Sequence, residues 1–173
     1  MGKRRNGETG AMPGDLTIRE FEPGDVERVV EIALLAWEPI YASYRGMLGD
    51  ELFDTLHPDW KREKAGHIRR GLADGRGAAF VAKRDGEIVG FVTACAKGNG
   101  VGEIGNNAVQ PAHQGRGIAG RLYERAFEWM RGQGMRFAEV GTGLDPAHAP
   151  ARRAYEKAGF DRAMPNVTYF RKL

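Results

Sequence analysis

The sequence predicts an α+β fold, and three observations carry that prediction. Segments that alternate apolar and polar residues, as half-buried strands do, are interleaved with segments whose apolar residues recur at helical spacing. Two strand-like segments meet at Asp85-Gly86, a dipeptide suited to a tight hairpin because both turn residues tolerate positive φ. The resulting order, β, α, α, β-hairpin, β, α, β, α, β, shows no internal repeat and no interdomain linker.

The first strand is Leu16–Phe21, which alternates. Pro23, Gly24 and Asp25 break it, and Asp25 is placed to N-cap a helix. Val26, Val29, Val30, Ala33, Trp37, Ile40 and Tyr41 define that helix, amphipathic over roughly 26–41. A less regular helical pattern continues to about Leu72, with Pro58 able to start its second part. The hairpin covers Ala79–Ala94, and a strand over about 101–109 comes after the turn at Gly98, Asn99 and Gly100. Ile118, Leu122, Ala126, Trp129 and Met130 mark a helix to about Arg131. Phe137–Thr142 reads as a strand, Ala151–Ala158 as a short helix stopped by Gly159, and Val167–Phe170 as a last strand.

With 173 residues, 42% of them hydrophobic, the chain suits one domain with a buried core. Residues 15–173 are assigned to that domain and residues 1–14 to a flexible N-terminal extension. No apolar run approaches the roughly 20 residues of a spanning helix. The basic N-terminus also lacks an apolar stretch behind it, so neither membrane nor secretion is expected. The single cysteine, Cys95, excludes an intramolecular disulfide and a Cys-rich metal site, and fits a cytoplasmic location. Its apolar neighbours make it strand filling rather than a nucleophile. A net charge of +3, partly from Lys3, Arg4 and Arg5, gives no basic face with interleaved aromatics, so no nucleic-acid partner is expected.

The glycine-rich stretch Gly115-Arg116-Gly117-Ile118-Ala119-Gly120 comes after a strand and opens a helix. Glycines permit close backbone approach, and the first-turn N–H groups with the helix dipole favour an anion. A ligand-free turn is the plainer alternative. The same six residues match a dinucleotide fingerprint, with Glu139 near the distance of a ribose contact, which admits an NAD(P)-dependent oxidoreductase. Three features oppose that reading: five residues separate Val109 from Gly115, the preceding strand is too polar to be buried on both faces, and a hairpin stands where a βαβ unit belongs.

Ala108-Val109-x-Pro111-x-x-Gln114-Gly115-Arg116-Gly117-Ile118-Ala119 resembles the cofactor motif of the GNAT superfamily of N-acetyltransferases. Downstream, Ala151-x-x-Ala154-Tyr155-Glu156-Lys157-Ala158-Gly159-Phe160 resembles that superfamily's second motif, and the element order over residues 16–172 resembles its fold. The resemblance implies a mixed central sheet of about six to seven strands with helices on both faces. It also implies that strands 103–109 and 137–142 run parallel but splay, with the pantetheine arm of acetyl-CoA between them. Backbone groups of Asn107, Ala108 and Val109 would pair with that arm. Residues Gln114, Gly115, Arg116, Gly117, Ile118, Ala119 and Gly120 would hold the pyrophosphate, Arg116 either adding charge or standing in solvent. His148 departs from the pattern, standing where an asparagine often contacts the cofactor arm, so it is either a cofactor contact or a capping residue.

The implied chemistry is acetyl transfer from acetyl-CoA to a primary amine by direct attack in a ternary complex, with no metal. The attacking amine must be neutral, which calls for a carboxylate base, and the leaving thiolate needs a donor. By the resemblance Tyr155 is the donor. Glu103 is the preferred base, six residues before Val109 and so on the same strand face as Asn107 and Val109. Glu139 is its rival. Trp37, Tyr41 and Tyr44 stand at i, i+4 and i+7, either as core or as a wall of the acceptor pocket. The acceptor is a small-molecule amine, a peptide N-terminus or a lysine, and the protein is a monomer or homodimer. A non-catalytic CoA-binding sensor or interaction domain is the alternative from another class.

Overall fold

A strand buried on both faces requires cover on both sides, and Ile88, Val89, Gly90, Phe91 and Val92 form such a run. In the computed structural model, which describes residues 15–173, that run lies at the centre of a five-stranded sheet in order β1-β2-β3-β4-β5. The strands are β1 (Leu16–Glu20), β2 (Gly77–Arg84), β3 (Glu87–Gly98), β4 (Val101–Val109) and β5 (Phe137–Val140). β1 to β4 pair antiparallel, and β4 pairs β5 parallel.

One face carries α1 (Val26–Leu48) and α3 (Trp60–Ala73), joined by α2 (Asp50–Leu56). Val29, Ile32 and Ala33 of α1 and Ile68 of α3 pack there on Val81, Ile88 and Phe91. The other face carries α4 (Ile118–Gly132), whose Ile118, Leu122, Ala126 and Met130 cover Phe80, Val89 and Ile104. α5 (Ala149–Lys157) adds Tyr155 to that second core. For α1 and α4 the spacing of these apolar residues is the helical period predicted for them.

Several expectations need correction. α1 runs on to Leu48 through Pro39, which is exposed, so the one helical hydrogen bond its missing N–H removes lies on the solvent side, where water can meet the freed carbonyl. Asp25 does precede α1, but its carboxylate does not cap it: it accepts from Arg19 at 2.6 and 2.8 Å and from the N–H of Glu22. β5 ends at Val140 rather than Thr142. Among the described residues the sheet has five strands, not six or seven, because residues 167–170 pair with no strand there and residues 161–173 are exposed. Propensity nominates a strand, but only a neighbouring edge makes one. The extension assigned to residues 1–14 lies outside the described residues.

Two irregularities of β4 position the site. Its pairing with β5 covers only Val101 to Ile104 opposite Phe137 to Val140, after which the strands part and β4 continues alone on that edge to Val109. Its pairing with β3 contains a bulge: Ala94 faces Ile104 while Val92 faces Asn107, so three steps on β4 match two on β3. The bulge falls at Gly105, where a Cβ would come within 2.7 Å of Thr93 Oγ1.

Candidate active site

The bulge reverses which way β4 side chains point. Before it, Ile104 lies in the core under α4, and a Cβ on Gly102 would strike Met130 and Met135. After it, Asn107 and Val109 face α4, while Asn106 meets Lys64 of α3 and Ala108 packs with the α1 and α3 core. Glu103, between Gly102 and Ile104, therefore shares its face with Asn106 and Ala108. It does not share it with Asn107 and Val109, as uninterrupted alternation would require.

Asn107 sits at the end of the parted strands and joins two tyrosines. Tyr123 Oη of α4 donates to Asn107 Oδ1 at 2.8 Å, and Asn107 Nδ2 donates to Tyr155 Oη at 3.2 Å and to the carbonyl of Gly105 at 3.0 Å. With Oδ1 engaged by Tyr123, the remaining Tyr155–Asn107 Oδ1 approach of 3.4 Å is a weak outlet for the Tyr155 proton. The arrangement thus holds the Tyr155 hydroxyl hydrogen only weakly. Burial raises the Tyr155 pKa, only partly opposed by hydrogen bonds to Asn107 and Tyr123, so the hydroxyl keeps its proton near neutral pH.

β4 leads through a 3-10 turn at Pro111–His113 into the glycine loop. Gly115 and Gly117 hold φ of 74° and 76°, a region other residues reach only with strain. Gly117 is the N-cap of α4, and no side chain caps the helix, so the first-turn amides of Ile118, Ala119 and Gly120 are free to bind an acceptor. Gln114 Nε2 donates to the carbonyl of Val109 at 3.0 Å, bracing the turn, and Arg116 is exposed. The dinucleotide fingerprint thus comes after a strand antiparallel to its neighbour and a 3-10 turn, unlike a strand leading straight into a helix.

Glu103 and Glu139 are register partners on β4 and β5. The Glu139 carboxylate is engaged by Lys97 at the surface, whereas Glu103 is half-buried and makes no hydrogen bond or ion pair among the described residues. Cys95, opposite Glu103 on β3, has its thiol pushed up by burial and then by Glu103 itself, as suits an unreactive strand residue.

His148 is buried, and its Nδ1 lies 2.5 Å from Asp145 Oδ2. Burial works against the Asp145 charge, but hydrogen bonds from His148 and Ser43 outweigh it and hold the carboxyl below its ordinary range. His148 also immediately precedes α5, and its ring faces Tyr44 of α1 at 5.9 Å. The loop is therefore clamped to α1, a contact absent from any local sequence signal.

Half-buried Trp37, Tyr41 and Tyr44 continue this wall, Tyr41 stacking on Trp60 at 4.2 Å. Lys64 is the residue that sequence reading missed. Its Nζ lies 3.7 Å from the centre of the Trp37 ring and donates to Asn106 Oδ1 at 2.8 Å. Burial holds its pKa down to about 8. No sequence pattern marks it, since one lysine among the charges of α3 resembles any other.

A family model described as "Acetyltransferase (GNAT) family" matches residues 32–160. The chain belongs to the GNAT acetyltransferase family. Among GNAT relatives, mycothiol acetyltransferase of Thermomonospora curvata is 29% identical over 161 residues, 91% of this chain and 48% of the relative. The chain spans about half the length of the mycothiol acetyltransferases it matches. A protein of Archaeoglobus fulgidus described as an uncharacterized N-acetyltransferase is 30% identical over 147 residues, 81% of this chain and 89% of that one. PaiA N-acetyltransferase from Thermoplasma acidophilum, solved in complex with coenzyme A, shares the GNAT fold. Its TM-score is 0.69 at 20% identity, covering 88% of this chain and 93% of that chain. No helix among the described residues is long and apolar enough to cross a membrane.

Proposed function

We propose that this chain is an acyl-CoA-dependent N-acetyltransferase that acetylates a primary amine by direct attack in a ternary complex. The observation that carries the reading is the parting of β4 from β5 beyond Ile104 and Val140, immediately upstream of the uncapped glycine loop. An extended ligand arm with amide groups fits that freed edge along Asn107, Ala108 and Val109, and a pyrophosphate fits the amides of residues 115–120. Bound there, acetyl-CoA supplies an activated acetyl thioester.

The residues around the cleft divide the remaining work. Asn107 fixes the Tyr155 hydroxyl and holds its hydrogen only by a long 3.4 Å contact to Oδ1, so Tyr155 serves as donor to a departing sulfur. Glu103 is the base, acting directly or through a water, because it is free of ion pairs and on the side of α1 and α3, whereas Lys97 occupies Glu139. The half-buried aromatic wall of α1 favours a small-molecule amine over a lysine or N-terminus of a folded protein. The relatives that carry N-acetyltransferase names support the same reaction class.

The test is thermal stabilisation by acetyl-CoA, CoA and NADH, then thiol release with a panel of small amines and peptides. Acetyl-CoA and CoA should raise the melting temperature, and at least one small amine should release thiol. Stabilisation by NADH alone would overturn the cofactor assignment, and binding without thiol release from any amine would overturn the enzymatic one.

A further inference from the structure

Two opposite charges stand on the same face of β4, each without a counter-ion. Glu103 is half-buried on the side of α1 and α3 and makes no hydrogen bond or ion pair among the described residues. Lys97 acts on it only at longer range and is itself bound to Glu139. Lys64 of α3 reaches the same face at Asn106, donating to Oδ1 at 2.8 Å with its ammonium 3.7 Å from the centre of the Trp37 ring. Asn106 and the ring face take two of the three N–H donors of an ammonium group, and the third is left for an acceptor outside the protein.

The helices around Lys64 match their charges elsewhere. Glu27 pairs with Arg69, Glu31 with Arg28 and Glu38 with Lys61, and Glu63 stands beside His57, so each carboxylate of α1 and α3 is engaged and none serves Lys64. Lys61 and Arg69 lie in solvent, where a pair contributes little, whereas Lys64 is the half-buried cation of α3, where a counter-ion matters most. Burial works against its charge, and the fold supplies no carboxylate to offset that cost. Glu103 and Asn106 are three residues apart, about 10 Å at ordinary strand rise, so the two charges flank a space rather than each other. That space adjoins Asn107–Val109, where the thioester arm is placed, on the side of the aromatic wall of α1.

A small zwitterion satisfies both charges at once. We propose that the acceptor is a free amino acid, its amino group meeting Glu103 and its α-carboxylate meeting Lys64. The inference rests on the acetyl transfer proposed above and names the class of amine. The ammonium gives a proton to Glu103, directly or through a water, and the neutral nitrogen forms its bond to the acetyl carbon as the carbon–sulfur bond breaks. The nitrogen then loses its second proton and the sulfur gains one, so the products are the N-acetyl amino acid, the CoA thiol and one proton that Glu103 passes to solvent. A polyamine would instead set a second ammonium against Lys64, which disfavours it.

Calorimetry of the CoA-saturated protein with the standard amino acids and their α-amides reads binding without chemistry, and thiol release from acetyl-CoA with the same panel reads kcat/KM. At least one amino acid should bind more tightly than its amide. Lys64→Met should lower the ratio of acid to amide kcat/KM by about tenfold or more, as expected for a lost hydrogen bond to a charged group, with the change in KM. Each amine is compared between two proteins, so its basicity cancels. Lys64→Gln, which keeps a donor for Asn106, should lower the ratio in the same way. Equal binding of every acid and its amide, a ratio unmoved in both variants, or faster turnover of spermidine than of any amino acid would overturn the proposal and leave acetyl transfer standing. Amino-acid binding that depends on Lys64, with no thiol release from any amine, would support the acceptor site and overturn the transfer reading instead.

Discussion

Tyr155 is held with its oxygen accepting from Asn107 Nδ2 at 3.2 Å and its hydrogen reaching Asn107 Oδ1 only at 3.4 Å, so ring packing and the proposed donor role can be separated at a single atom. Tyr155→Phe keeps the ring against Phe160 and Tyr123. Steady-state thiol release should therefore show kcat lower by about 100-fold, the range of a lost donor at the reacting centre, with acetyl-CoA affinity nearly unchanged by calorimetry. Wild-type kcat would reduce Tyr155 to a packing residue. Glu103→Gln should lower kcat most at pH below the pKa of the acceptor amine, where proton removal limits the rate, and less above it. A loss of equal size at every pH would remove Glu103 from the role of base. Lys64 titrates for a different reason. Its folded value, about 8, lies below the ordinary 10.5, so the unfolded chain binds more protons between those values and stability rises as pH climbs through that window. Lys64→Met removes the buried charge and leaves half-exposed Asn106 to water. The variant should melt roughly 2–4 °C higher at pH 7, the change expected for about 1 kcal/mol, and lose that lead between about pH 8 and 10.5. Equal pH dependence in both proteins would refute it.

Among the elements, β4 carries the most information. Its bulge at Gly105 sends Glu103 and Asn106 to the α1 side and Asn107 and Val109 to the α4 side, so one strand serves both walls of the cleft. The start of α4 is the second element of the proposed site. Gly117 combines a left-handed φ with open space around the position of a Cβ, so a substitution there distorts the loop without clashing with the core. Gly117→Asp should cost about 1–2 kcal/mol of folding stability through its backbone conformation. It should also weaken acetyl-CoA by far more than about tenfold, because the carboxylate repels a pyrophosphate at the helix N-terminus. Calorimetric titration of the folded variant decides this, and unchanged affinity would place the pyrophosphate elsewhere.

Across the whole molecule, the proposed acetyl-CoA site lies beside the sheet edge that separates two packed cores, the core of α1 and α3 and the core of α4 and α5. A ligand that binds between β4 and β5 touches parts of both and stabilises the folded state as a unit. At a concentration about 100 times its dissociation constant, acetyl-CoA should contribute about 2.7 kcal/mol and raise the melting temperature by roughly 5–10 °C in a chain of this size. A rise that does not grow with ligand concentration would indicate something other than binding to the native state.

The sequence by itself determined the order of elements from β1 to α5, the hairpin at Asp85-Gly86, the glycine loop at the start of α4 and the family. Each of these is local: it arises from apolar spacing, turn chemistry or a contiguous motif within a few residues. Only the tertiary structure decided that Glu103 turns to the side of Asn106, because the bulge that reverses β4 is visible only in its register with β3. The same holds for Lys64, whose depressed pKa comes from burial beside Trp37, and for the Asp145–His148 pair clamped to Ser43 and Tyr44. It holds also for residues 167–170, whose strand pattern finds no neighbouring strand among the described residues. Face, burial and partner are set by contacts between residues distant in sequence, and no window along one chain contains both halves of such a contact.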